Sequence, residues 1–137
     1  MQRKKAYLID TNVILRFLLN DIPEQSERAR KFLESVEVGV ERVYLTDLVF
    51  SECIWVLEKF YKIPRAEIRK VMRPIILFEG METQSPKTLL LDALSLWEKG
   101  KADWTDAFLA TYCKQDRREI ISFDKDFEKL GVVRKKL

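Results

Sequence analysis

The sequence predicts an α/β fold, a sandwich built on a mainly parallel sheet. Three observations carry that expectation. Apolar runs of strand length recur, "AYLI" at 6–9, "RVYLT" at 42–46 and "EIISF" at 119–123. Amphipathic stretches of helical length separate them, the alternation that builds parallel sheets. The chain of 137 residues is the size of a single domain, 1–137, large enough to bury a core without disulfides or a structural metal.

Each element has a local reason. Residues 6–9 form a compact apolar run that reads as a strand buried on both faces. A helix follows from about Asn12 to Leu19. Pro23 suits the first turn of the next helix, 24–37, whose Ala29, Phe32, Leu33 and Val36 make one apolar stripe. After the strand 42–46, Thr46 or Asp47 caps a helix running to about Tyr61. Pro64 opens a helix to about Phe78, and Pro86 opens another to about Lys99. A helix from about Thr105 to Gln115 feeds the strand 119–123, and a short helix and a strand in "GVVRK" complete the pattern.

Composition narrows the chemistry. The chain has 25 basic and 22 acidic residues, a net charge of +3. That is too mild for nucleic-acid binding through bulk field, so any such contact must come from local patches. There is no histidine, which excludes Ser-His-Asp triads, Cys-His dyads and histidine bases. Two cysteines, Cys53 and Cys113, cannot by themselves make a zinc site and read as buried thiols of a reducing compartment. Four glycines, at 39, 80, 100 and 131, cannot form a phosphate-binding glycine loop. The apolar run after "MQRKK" is too short for a signal peptide, and "LVFSECIWVLEKFY" carries two glutamates, so no membrane span is expected and the setting reads as cytoplasmic. Carboxylate chemistry remains.

Sites in open α/β sheets form outside the carboxyl ends of the strands. Asp10 directly follows the first strand and Asp124 directly follows "EIISF". Glu52 lies in the first half of the helix after "RVYLT", within about two turns of that edge. The helix bearing "DWTDAFLA" runs back against the strand 119–123; eleven helical residues and five strand residues both span about 17 Å. Asp103 and Asp106, three apart, therefore start that helix near Asp124. Each acid also has a plain structural reading: Asp10 as a helix cap, Asp103 and Asp106 as a capping pair, Asp124 as a turn residue. Glu52 is harder to explain that way, because it interrupts "LVFSECIWVL", where an unpaired buried charge is costly. Two carboxylates about 5 Å apart repel by roughly 3 kcal/mol at an effective dielectric of 20. A nest of four calls for protonation or a cation, and an oxygen-only pocket suits Mg²⁺ or Mn²⁺.

"LIDTNVILRFLL", Glu52 in "SECIWVLEKF", "DWTDAFLA" and "ISFDKDF", in this order, resemble the PIN domain, in particular the VapC-type toxins of prokaryotic toxin–antitoxin pairs. The resemblance covers nearly the whole chain. It implies a three-layer α/β/α fold and a metal-dependent ribonuclease. Its acidic quartet falls on Asp10, Glu52, Asp106 and Asp124 as catalytic residues and metal ligands. Asp103 and Asp126 match accessory acidic positions, and Asn12 and Ser122 match assisting polar ones. A homodimer and an inhibitory antitoxin partner are implied as well.

Candidate RNA contacts are Arg65, Arg69 and Arg73, spaced as one basic stripe, together with Arg16, the tail "RKK" at 134–136 and Trp104 beside the acidic pair. The alternative for the stripe is a solvated face eased by Glu58 and Glu67. Two other functions compete with RNA cleavage. An aspartyl-nucleophile phosphatase would also place an acid after the first strand, but the companion acid two residues on is here Asn12. A receiver-like or RNA-binding module that holds Mg²⁺ without cutting is the other.

Overall fold

The computed structural model describes residues 4–137, and the chain divides after Ser85 into two compact units. In the first, β1 (Tyr7–Leu8) leads to α1 (Thr11–Leu19) and α2 (Pro23–Glu37). β2 (Val43–Leu45), α3 (Asp47–Trp55), α4 (Arg65–Ile76) and β3 (Met81–Thr83) follow. Its sheet has the order β1-β2-β3, all parallel, with Tyr7 opposite Val43 and Val43 opposite Met81. Tyr7 and Leu8 are exposed, against the expectation for "AYLI", because β1 is the edge of this three-stranded sheet and only Ile9 beyond it is buried.

Local chemistry sets the boundaries. The Asp10 carboxylate accepts the Thr11 N–H at 2.8 Å and so caps α1, satisfying one of the donors that every helix start leaves open. Asn20 ends α1 in the left-handed region at φ 51°, where Asn is better tolerated than most residues. Pro23 sits at the first position of α2, where its missing N–H costs nothing. Ala29, Leu33 and Val36 turn inward, and full burial of Leu33 alone contributes about 2 kcal/mol. The Thr46 hydroxyl accepts the Val49 N–H at 3.2 Å and caps α3. The helix expected to run unbroken to Tyr61 stops being α-helical at Trp55 and continues as one π-type turn, Val56–Phe60. β3 was not expected from the sequence at all.

Where β3 begins, Gly80 passes against the chain at Glu41. A Cβ there would lie 2.1 Å from the Glu41 carbonyl oxygen and 2.9 Å from that of Val36, so no larger residue fits. The core of this unit is made by Ile14, Val43, Leu45, Phe50, Ile54, Ile68 and Met72, all but fully buried.

The second unit, Pro86–Leu137, holds α5 (Lys87–Lys99), α6 (Trp104–Asp116), β4 (Ile120–Ile121), α7 (Asp126–Lys129) and β5 (Arg134–Lys135). α5 and α6 pack with Trp97 edge-on to Trp104, ring centres 6.0 Å apart. Ala110, Cys113, Phe127 and Val132 form a small core beneath α6. β4 and β5 pair in parallel, Ile120 opposite Arg134. Every strand pairing in the described chain is therefore parallel, as the sequence predicts. No described helix is long and apolar enough to cross a membrane.

Candidate active site

In the first unit the acidic residues follow directly from these elements. Asp10 stands between the end of β1 and the start of α1, and Glu52 lies on the exposed face of α3. Thr11, 4% exposed, ties them together. Its backbone N–H donates to Asp10 Oδ1, and its hydroxyl donates to Glu52 Oε2 at 2.9 Å across 41 residues of sequence. Thr11 thus links two of the candidate site acids. A cleft of about 620 Å³ opens beside Asp10, its lining including the polar Asn12, Arg16 and Arg28 and the apolar Phe32 and Val43. Cys53 follows Glu52 but turns into the core. Burial, then the Glu52 and Asp10 charges, push its thiol up to about 12, so it stays protonated at neutral pH, and it has no exposed surface.

In the second unit Asp103 occupies the cap position of α6 and Asp106 its first turn. Burial, followed by the charges of Asp124, Asp103 and Asp126, raises the Asp106 carboxyl above the ordinary aspartate value. Asp106 thus feels the charges of three other acids of this unit. Asp124 is held by its own loop: its N–H donates to Ser122 Oγ at 2.9 Å, and its Oδ1 accepts the Asp126 N–H at 2.8 Å. Asp126 is also 3.4 Å from the Lys129 ammonium, which partly offsets its charge. Within neither unit do three His, Cys, Asp or Glu side chains, among the described residues, already close into a metal-binding group. The donors that each unit offers are all hard oxygens, which fits Mg²⁺ or Mn²⁺ and not a thiophilic ion.

A family model described as PIN domain matches residues 7–133. The chain belongs to the PIN-domain family. Over 125 residues, 90% of this chain and 91% of the other, it is 29% identical to a VapC ribonuclease of Aquifex aeolicus (strain VF5). The α/β fold with parallel strands is the one that this family has.

The remaining candidates of this PIN domain fare unequally. Trp104 is corrected: it is 6% exposed, packed between Trp97 and Phe108, and cannot present a face to a base. The exposed tryptophan is Trp55, one turn beyond Glu52 on α3. Arg16 forms an ion pair with Asp21, whose carboxyl is lowered chiefly by that bond, and Tyr61 donates to the same aspartate at 3.2 Å. In the stripe on α4, Arg65 donates to Glu58 at 2.6 Å, Arg69 is half-buried and Arg73 is exposed. Arg134 of the tail is also no surface cation: its side chain is 6% exposed and donates to the Ser122 carbonyl at 3.0 Å.

Proposed function

We propose that this PIN domain is a Mg²⁺- or Mn²⁺-dependent endoribonuclease, the toxin of a type II toxin–antitoxin pair. In this reading both units work as one nuclease domain, with Asp10, Glu52, Asp106 and Asp124 as the catalytic metal ligands. Support comes from the PIN-domain match across both units, the VapC ribonuclease relative, and a donor set made only of oxygens. The observation that carries it is the Asp106 carboxyl, kept from easy ionisation first by burial and then by the charges of Asp124, Asp103 and Asp126, both of which a divalent cation would offset.

The bound ion would supply Lewis acidity, lowering the pKa of a water and stabilising charge on the phosphate and the departing 3′ oxygen. The residues of the chain do the rest. Thr11 holds Glu52 in one rotamer, so that ligand is oriented before substrate arrives. Asp124, steadied by Ser122, would accept a hydrogen bond from the attacking water and aim it in line with the scissile bond. Asp103 and Asp126 add negative potential around Asp106, and Asn12 offers an amide beside Asp10. Cleavage leaves a 5′-phosphate and a 3′-hydroxyl. The reading includes a homodimer, an antitoxin partner and a cytoplasmic setting.

The test is Mg²⁺-dependent cleavage of total RNA by the wild type beside Asp10→Asn and Asp106→Asn. Both variants should fold and be inactive. Undiminished cleavage by either removes that residue from the mechanism. A wild-type protein that binds RNA with Mg²⁺ but never cuts it favours a non-catalytic module.

A further inference from the structure

Arg134 is nearly enclosed, yet nothing in the mechanism above uses it. Its Nη1 donates to the Ser122 carbonyl at 3.0 Å, while its Nε lies 3.6 Å from Glu128 Oε1 and has no hydrogen-bond partner. Burying a guanidinium is costly, and an apolar side chain of similar length would fill such a place at least as well. The stability of the β4–β5 pair therefore does not explain why a charge is kept there. What the guanidinium does hold is the end of β4. Ser122 receives Arg134 on its carbonyl and the Asp124 N–H on its hydroxyl, and Asp124 receives the Asp126 N–H on its carboxylate. Four residues from β5 to α7 thus form one chain of hydrogen bonds with the Asp124 carboxylate in it.

We propose that Arg134 is the positioning residue of Asp124, fixing through Ser122 where that carboxylate stands for the metal. The inference rests on the reading of Asp124 as a ligand. It sets Arg134 apart from the RNA-binding cations, since its role is exerted on the loop and not on phosphate.

Direct Mn²⁺ binding, measured by calorimetry and by the electron paramagnetic resonance of free Mn²⁺, tests this on the full chain without RNA. Arg134→Met should weaken Mn²⁺ binding about tenfold or more, the range for groups that orient a metal ligand. Arg134→Lys, which keeps a donor for the Ser122 carbonyl, should restore most of it. In cleavage assays Arg134→Met should need more Mg²⁺ for half-maximal rate, while KM for RNA and its salt dependence stay as in the wild type. Should Arg134→Met fail to fold, Arg134→Gln replaces it in every comparison. Asp124→Asn run alongside separates the two ways of failing. If Asp124→Asn weakens Mn²⁺ binding but the folded Arg134 variant does not, Arg134 has no positioning role. If Asp124→Asn binds Mn²⁺ like the wild type, Asp124 is not a ligand, and the proposal falls with that reading. A raised KM with a shallower salt dependence makes Arg134 a phosphate contact and also overturns it.

Discussion

Replacing Thr11 by Val removes one hydroxyl and keeps the β-branched shape, so the first turn of α1 is unchanged in bulk and the Asp10 cap to the backbone N–H survives. What is lost is the bond of 2.9 Å to Glu52. Hydrogen bonds to a charged group contribute about 1.5–3 kcal/mol. Glu52 is exposed, which places this one at the lower end, about 1.5 kcal/mol. Unfolding entropy near 2.1 cal/mol/K per residue gives a chain of 137 residues about 0.3 kcal/mol/K. The melting temperature should accordingly fall by about 5 °C. Val recovers some free energy by burial, so the clean quantity is the coupling in a double-mutant cycle with Glu52→Ala, which removes the acceptor, read from thermal or urea unfolding. Cleavage should drop about 10–100-fold, because Glu52 no longer stands ready in one orientation. A coupling below about 0.5 kcal/mol, the usual error for independent sites, together with full activity, would refute the assignment of Thr11 as the link between the two acids.

Three further outcomes are expected. Asp106 takes its proton more readily in the folded chain than in the unfolded one; its contribution to stability is full below the ordinary value of 3.8 and is lost as pH rises through the raised folded value. Asp106→Asn should therefore melt higher than the wild type at pH 7 without metal, converge with it in acid, gain nothing from Mg²⁺ and cleave at background; a lower metal-free melting temperature at pH 7 would contradict the crowding. Gly80→Ala forces a Cβ against two carbonyl oxygens and should cost about 3 kcal/mol, seen in urea unfolding, with no comparable effect for Gly100→Ala, where the nearest atom is 3.4 Å away. Arg73 is the exposed member of the α4 stripe, so Arg73→Ala should lower the slope of log affinity for single-stranded RNA against log salt by about 0.7, whereas an unchanged slope would make the stripe a solvated face.

The parts of this molecule that the sequence made legible are those whose cause is local. α2 could be read because Pro23 and the spacing of Ala29, Leu33 and Val36 lie within one helix. β3 could not: Met81, Glu82 and Thr83 carry no strand pattern of their own and become a strand by pairing with Val43, Tyr44 and Leu45. The π-type turn escaped for a related reason, since Val56–Phe60 continues an apolar helical pattern and the wider turn leaves no residue signature. Trp104 was misjudged from its neighbours. Asp103 and Asp106 made the segment look polar, but α5 brings Trp97 against its ring. The acidic residues were visible as interruptions of apolar runs. The bonds that orient them, Thr11 to Glu52 and Arg134 to Ser122, join positions 41 and 12 residues apart and become visible only once the chain has folded.

The inward turn of Cys53 has a practical consequence. A sulfur directly beside a surface carboxylate such as Glu52 would ordinarily invite capture of mercury or cadmium. With its proton held up to about 12 and no exposed surface, this sulfur offers heavy metals and alkylating reagents almost nothing to react with. Iodoacetamide labelling read at Cys53, apart from Cys113 in the second unit, would therefore be a clock for how often the first unit comes apart.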